Sequence, residues 1–273
     1  MGPCFLLYKS EHVFGWEASS RSSQVKTRTS GLLSARFHTP GRCLLRESVR
    51  VPLPQPEVIP AGTLLTRFRG MAVSPAKAHP PNSFNPNVGK NWTMDTDGAR
   101  FNPFPDKSGD NVPTIYAATS YEAAALESVF HAVPHVQTPE IIRSQVETWE
   151  YFDLRTLRDL KDVRLTNPKL RQLKVSGRTE SLREDELIHS PGSQYPATRT
   201  WAKLLHDHVP GLDGLAWRPR LAGTGEAYVF FGDRCGAADF EVVGVPTALK
   251  SPTEYARIKA VADAANVIIN NSK

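Results

Sequence analysis

Four side chains stand where apolar runs of the sequence give way to polar ones, and their types suit one kind of chemistry. Arg67 lies in LLTRFRG, Arg100 in GARFNP, and Tyr116 and Glu127 in the run IYAATSYEAAALESVFH from Ile115 to His131. An arginine offers a planar, permanently charged fork that matches phosphate oxygens, which a lysine ammonium does not. A carboxylate stabilises positive charge that develops as a bond breaks, and an aromatic ring stacks on another ring. Strand ends and the loops that leave them are where α/β proteins place ligands. Taken singly, each residue also fits a plain structural role. At helical spacing Glu127 falls on the shoulder of an apolar arc beside Ala123, Phe130 and His131, as a boundary glutamate does. Arg100 suits a surface ion pair, and Tyr116 alternates with Ile115 as a core residue of a strand would.

Other polar groupings carry less. His206-Asp207-His208 lacks a third ligand for a metal, and its two histidines diverge on a helix, so no metal site is expected. His131 fits a helix end and His135 a loop, so neither is singled out as a site residue. Gly223-Thr224-Gly225 reads as a hairpin turn, since no helix follows it to bind a phosphate. Cys235 is expected to be a structural or surface thiol.

The elements that must position these residues follow from periodicity and punctuation. Thr63 to Arg69 reads as a strand, and Ser74 to Pro113, rich in Pro, Asn and Gly, as a long loop. A short strand from Thr114 to Ala118 then feeds a helix, with Thr119 and Glu122 as its capping box, running to about Ala132. Strands are expected from Val146 to Leu154, Gly214 to Trp217, Glu226 to Phe231 and Glu241 to Val245. Thr198 is the expected N-cap of a second helix that buries Trp201, Leu204 and Leu205. Ser251-Pro252-Thr253-Glu254 launches a C-terminal amphipathic helix with Ile258, Val261, Ala265 and Ile268 on one face.

Of the 273 residues, 40% are hydrophobic and 22% charged, which fits a globular domain. Residues 1–50 hold eight lysines and arginines against three glutamates, so the whole net charge of +5 sits there and the remainder is balanced. That distribution argues against direct nucleic-acid binding. Residues 1–58 are expected to be a disordered basic extension ending in a Pro-spaced linker, Val51 to Pro60; a transit peptide and an early start codon are the alternatives. Residues 59–249 form the expected domain and 250–273 the terminal helix. Three cysteines without a CxxC give neither a disulfide framework nor a zinc site, which makes the cytoplasm the default, and no apolar run is long enough to span a bilayer.

The order GARFNP, IYAATS, AALESVFH, SQYPATRTWAKLLH and GLAW…AYVFFGDR, over about Gly62 to Val245, resembles the RES domain family of bacterial NAD⁺-degrading toxins. The resemblance implies an α/β fold similar to ADP-ribosyltransferase catalytic domains, a single domain with a small mixed sheet split around an NAD⁺ cleft. It implies that Arg100, Tyr116 and Glu127 fall on the family's catalytic positions and Arg67 on its upstream arginine. NAD⁺ would then be a substrate, cut at the nicotinamide–ribose bond by phosphate or water, with no further cofactor and with a helix-turn-helix antitoxin as partner. The family's serine after GL.W falls on Pro219, which has neither hydroxyl nor N–H; Arg218 or Arg220 would meet the phosphates instead, or Ser193 would replace the hydroxyl. Transfer of ADP-ribose to a macromolecule, and NAD⁺ binding without turnover, are the alternatives.

Overall fold

A computed structural model describes residues 53–72, 79–87, 98–131, 133, 139–166, 184–219 and 224–271. The described part is a mixed α/β domain built on one eight-stranded sheet. In chain order the strands are β1 (Glu57–Ile59), β2 (Leu64–Gly70), β3 (Thr114–Ala118), β4 (Glu140–Ile142), β5 (Trp149–Thr156), β6 (Leu160–Arg164), β7 (Gly214–Trp217), β8 (Ala227–Phe231), β9 (Phe240–Ala248) and β10 (Ile268–Asn270). The helices are α1 (Tyr121–Glu127), α2 (Arg143–Val146), α3 (Glu184–Leu187), α4 (Tyr195–His208) and α5 (Pro252–Ala264). The large sheet runs β1-β6-β7-β8-β3-β2-β5-β9 and is antiparallel except for the β6–β7 pair; β10 and β4 form a separate parallel pair.

Alternation along the strands sorts side chains onto two buried faces. Phe68, Ala118, Leu215, Trp217, Val229 and Phe231 point to the face that also buries α1, α4 and α5 residues such as Leu126, Leu205 and Ile258. Leu65, Ile115, Ala117, Phe152, Ala216 and Phe230 pack on the other. Because both faces are covered, β8 is apolar throughout, AYVFF, with every residue buried.

The sheet is larger than the small one expected and is continuous, although its β2–β3 pairing is short. β2 and β3 pair only at Thr66 and Ala118. Beyond that point the segment before β3 takes the vacated edge: Asn85 bridges to Thr114, exchanging hydrogen bonds of 2.8 Å in both directions.

Several boundaries differ from the sequence reading. Glu57–Ile59, inside the expected linker, pairs with β6 and buries Ile59. Helix α1 ends at Glu127, and the Phe130 N–H reaches back to the Ala125 carbonyl at 3.1 Å, because a turn buries Val129, Phe130 and Val133 together. Ser120 caps α1 in place of Thr119, accepting from the Ala123 N–H at 3.1 Å, while Thr119 is held to β8 through the Glu226 N–H. The segment Arg143–Val146 is helical, so β5 starts at Trp149. Helix α4 begins at Tyr195 after a 3₁₀ turn at Gly192–Gln194, which frees the Thr198 hydroxyl for another use. Ile268 lies off α5: Asn266, at φ 56°, takes the left-handed conformation that stops the helix, and Ile268 begins β10.

Candidate functional site

The turn around Arg100 is held by helix α4 and by its own packing. The Arg199 Nε donates to the Ala99 carbonyl at 3.0 Å, and the Thr198 hydroxyl donates to the Arg100 carbonyl. Phe101 and Phe104 anchor the segment with fully buried rings, Phe101 lying edge-on to Trp217 at 5.1 Å between centroids. Gly98 is required here, since a Cβ would come within 2.5 Å of Pro103 Cδ and 2.7 Å of the Asn102 carbonyl oxygen.

That scaffold aims the Arg100 guanidinium at the end of α1. Its Nη1 lies 3.4 Å from Glu127 Oε2, and the two side chains are only 8% and 11% exposed. The separation exceeds the roughly 2.7–2.9 Å of a tight charged hydrogen bond. Arg100 Nε is buried with no hydrogen-bond partner among the described residues, and so is Trp217 Nε1. The pair is therefore loosely made, with donor capacity unused among the described residues.

A second pair of rings closes round the carboxylate. His131, four residues after Glu127, places Nδ1 3.7 Å from the same Oε2, and its Nε2 lies 2.9 Å from the Tyr195 hydroxyl. The Tyr195 ring stacks on His131 and lies beneath the Arg100 guanidinium at 5.7 Å. Tyr116 projects from β3 on the same face of the sheet, edge-on to Trp217 at 6.1 Å. Burial raises the pKa of its hydroxyl above the ordinary tyrosine value, although the Phe101 N–H and the charge of Arg100 act the other way. Such a phenol holds its proton at neutral pH.

The structure thus brings Arg100, Tyr116 and Glu127 onto one face and does not bring Arg67 with them. Arg67 points with Leu65 to the opposite face of β2, where its Nη1 donates to the carbonyls of Pro81 and Ser83 at 2.9 and 2.8 Å. Burial and the neighbouring Arg69 lower its pKa. Arg218 is exposed just past β7, Pro219 is buried beside it, and Ser193 is exposed in the 3₁₀ turn; Arg220 and His135 lie outside the described residues. Sequence reasoning missed Tyr195 and Trp217 as site residues. Both lie inside quoted motifs, SQYPATRTW and GLAW, where a large aromatic at a helix start or strand end was the available signal. His206 is buried between Asp233 and Asp207, and no group of three or more His, Cys, Asp or Glu among the described residues could hold a metal. Cys235 is a buried thiol. Among the described residues no helix is long and apolar enough to cross a membrane.

The fold is a mixed α/β domain, and its candidate site is a buried arginine–carboxylate pair between the Arg100 turn and the end of α1. The chain belongs to the RES domain family, whose family model matches residues 78–252, well over half of its length. Arg67 lies ahead of the matched stretch, and Arg100, Tyr116, Glu127, Tyr195 and Trp217 lie within it. No curated protein and no solved structure matches the chain. Family membership supports a toxin-like, NAD-related function in general terms.

Proposed function

We propose that the domain binds NAD⁺ and cleaves it at the nicotinamide–ribose bond, with phosphate or water as the acceptor of ADP-ribose. The observation that carries this reading is the loose, desolvated Arg100–Glu127 pair, buried on a face whose remaining donors, Arg100 Nε and Trp217 Nε1, are unmet. Departure of neutral nicotinamide leaves cationic character on the ribose, as in glycoside hydrolysis. Glu127 stabilises that charge as it forms, which accelerates the step more than tight binding of the ground state would. Arg100 supplies the fork for the pyrophosphate, while Tyr116 and Trp217 supply aromatic walls. His131, bridged to Tyr195, lies against the same carboxylate oxygen as Arg100. A protein antitoxin of the helix-turn-helix kind is the partner this reading entails, covering the site in the resting state.

The test is incubation of the purified protein with NAD⁺, with and without inorganic phosphate, following nicotinamide by chromatography. Release that rises with phosphate assigns phosphorolysis; release indifferent to it assigns water. Absence of release from the wild type removes the proposal. A second reading, NAD⁺ binding without turnover, is favoured by one observation, the buried Pro219 in the position of the family's serine. Calorimetric binding without nicotinamide release selects it.

A further inference from the structure

The hydroxyl of Tyr116 is committed inside the fold, and the direction of its proton can be worked out. The Val112 carbonyl, at one end of the network, can only accept. It lies 2.6 Å from Asn87 Nδ2, so the Asn87 amide is oriented with its nitrogen there, where it also donates to Thr114 Oγ1 at 3.0 Å. Asn87 Oδ1 is then an acceptor and takes the Asn102 Nδ2 at 2.7 Å. That leaves Asn102 Oδ1 facing the Tyr116 hydroxyl at 2.5 Å, and an amide oxygen cannot donate, so the phenol must.

The surroundings are built to keep this order. Asn87 is fully buried at φ 52°, a left-handed conformation that asparagine tolerates, and the Asn111 side chain donates to its carbonyl at 2.9 Å. Asn102 is 4% exposed. The Phe101 backbone N–H also acts on the phenol, lowering its pKa against the effect of burial. Tyr116 therefore grips Asn102, two residues after Arg100, through its proton.

We propose that the Tyr116 hydroxyl is the latch that fixes the Arg100 turn against β3, and that Asn102 and Asn87 are positioning residues acting through it, so that this hydroxyl donates no proton to a substrate. The latch belongs to the fold itself; only its effect on turnover rests on the NAD⁺ reading above. A substrate would meet the ring of Tyr116, which is partly exposed, and not its proton.

Two measurements test the latch. The first needs no ligand: hydrogen exchange of the peptide 98–104 in the wild type, Tyr116→Phe and Asn102→Ala. Loss of one hydrogen bond predicts exchange of that peptide about fivefold faster in both variants. Tyr116→Phe keeps the ring and its packing. Should Asn102→Ala fail to fold, Asn102→Asp retains Oδ1 but sets an acceptor against Asn87 Oδ1, and the same acceleration is expected. Unchanged exchange in Tyr116→Phe overturns the latch. The second is nicotinamide release as a function of NAD⁺ concentration. A latch predicts a KM raised about threefold to tenfold in Tyr116→Phe with kcat nearly kept, and no further loss in the double variant Tyr116→Phe/Asn102→Ala. A fall in kcat of about 10² or more at unchanged KM is the signature of a lost proton donor and overturns it. If the wild type releases no nicotinamide, the NAD⁺ reading falls and the exchange experiment still decides the latch.

Discussion

Replacing Gly98 by alanine isolates how the Arg100 turn is built. The added Cβ would lie 2.5 Å from Pro103 Cδ, 2.7 Å from the Asn102 carbonyl oxygen and 2.8 Å from Arg199 Nη2. Of the three, only the tip of the buried Arg199, the far end of a flexible side chain, can shift. The proline ring and the carbonyl cannot, because Asn102 is buried and bound to both Tyr116 and Asn87. Forcing one methyl group into such a site costs about 1–3 kcal/mol. For a domain of this size about 2 kcal/mol lowers the melting temperature by roughly 4–8 °C. The strain falls on the segment that aims Arg100 at Glu127, so NAD⁺ affinity measured by calorimetry should weaken alongside. Gly70→Ala is the control: nothing lies within 4 Å of its would-be Cβ, and its backbone is not left-handed, so no loss is expected. Equal melting temperatures and equal NAD⁺ affinities for Gly98→Ala and the wild type would refute the packing argument.

Three further outcomes follow from the geometry. Arg67→Ala removes the donor to the half-buried Pro81 and Ser83 carbonyls and should destabilise the fold by about 1–3 kcal/mol while leaving NAD⁺ affinity of the folded protein unchanged; lost affinity at an unchanged melting temperature would place Arg67 in the site after all. Pro219→Ser should raise nicotinamide release by about tenfold or more with binding unaltered, and an unchanged rate would show that this position does not govern turnover. Burial raises the Cys235 thiol pKa above its unfolded value, so its contribution to stability is whole below about pH 8.5 and is lost as the pH rises. Tyr116 and Tyr228, also raised chiefly by burial, act in the same sense above about pH 10. Thermal melts should therefore weaken from about pH 9 upward, less steeply in Cys235→Ala; parallel alkaline limbs would contradict this.

Much of the fold was legible in local pattern. Apolar runs bounded by turn residues gave β3 and β7 to the residue, and β8 nearly so, because short strands buried on both faces leave an unbroken apolar signal. Capping chemistry gave the start of α5 at Ser251, whose Oγ accepts from the Glu254 N–H. Its end was missed, although Asn266 carried the stop signal, because apolar spacing alone continued through Ile268. The Arg100, Tyr116 and Glu127 cluster was legible through motif order. The facing of Arg67 was not, since alternation along β2 tells which residues share a side and not which side the site occupies. The asparagine relay from Val112 to Tyr116 was also hidden, because its members are separated by loop residues with no periodicity to read.

In the proposed reaction Glu127 acts on bound NAD⁺ in company with Arg100. The most direct measurement sets NAD⁺ binding by calorimetry beside nicotinamide release for the wild type and Glu127→Gln. The substitution keeps the shape of the side chain and removes its charge, so binding should hold within about threefold while release falls by roughly 10²-fold or more. Equal release by the two proteins would contradict the central claim.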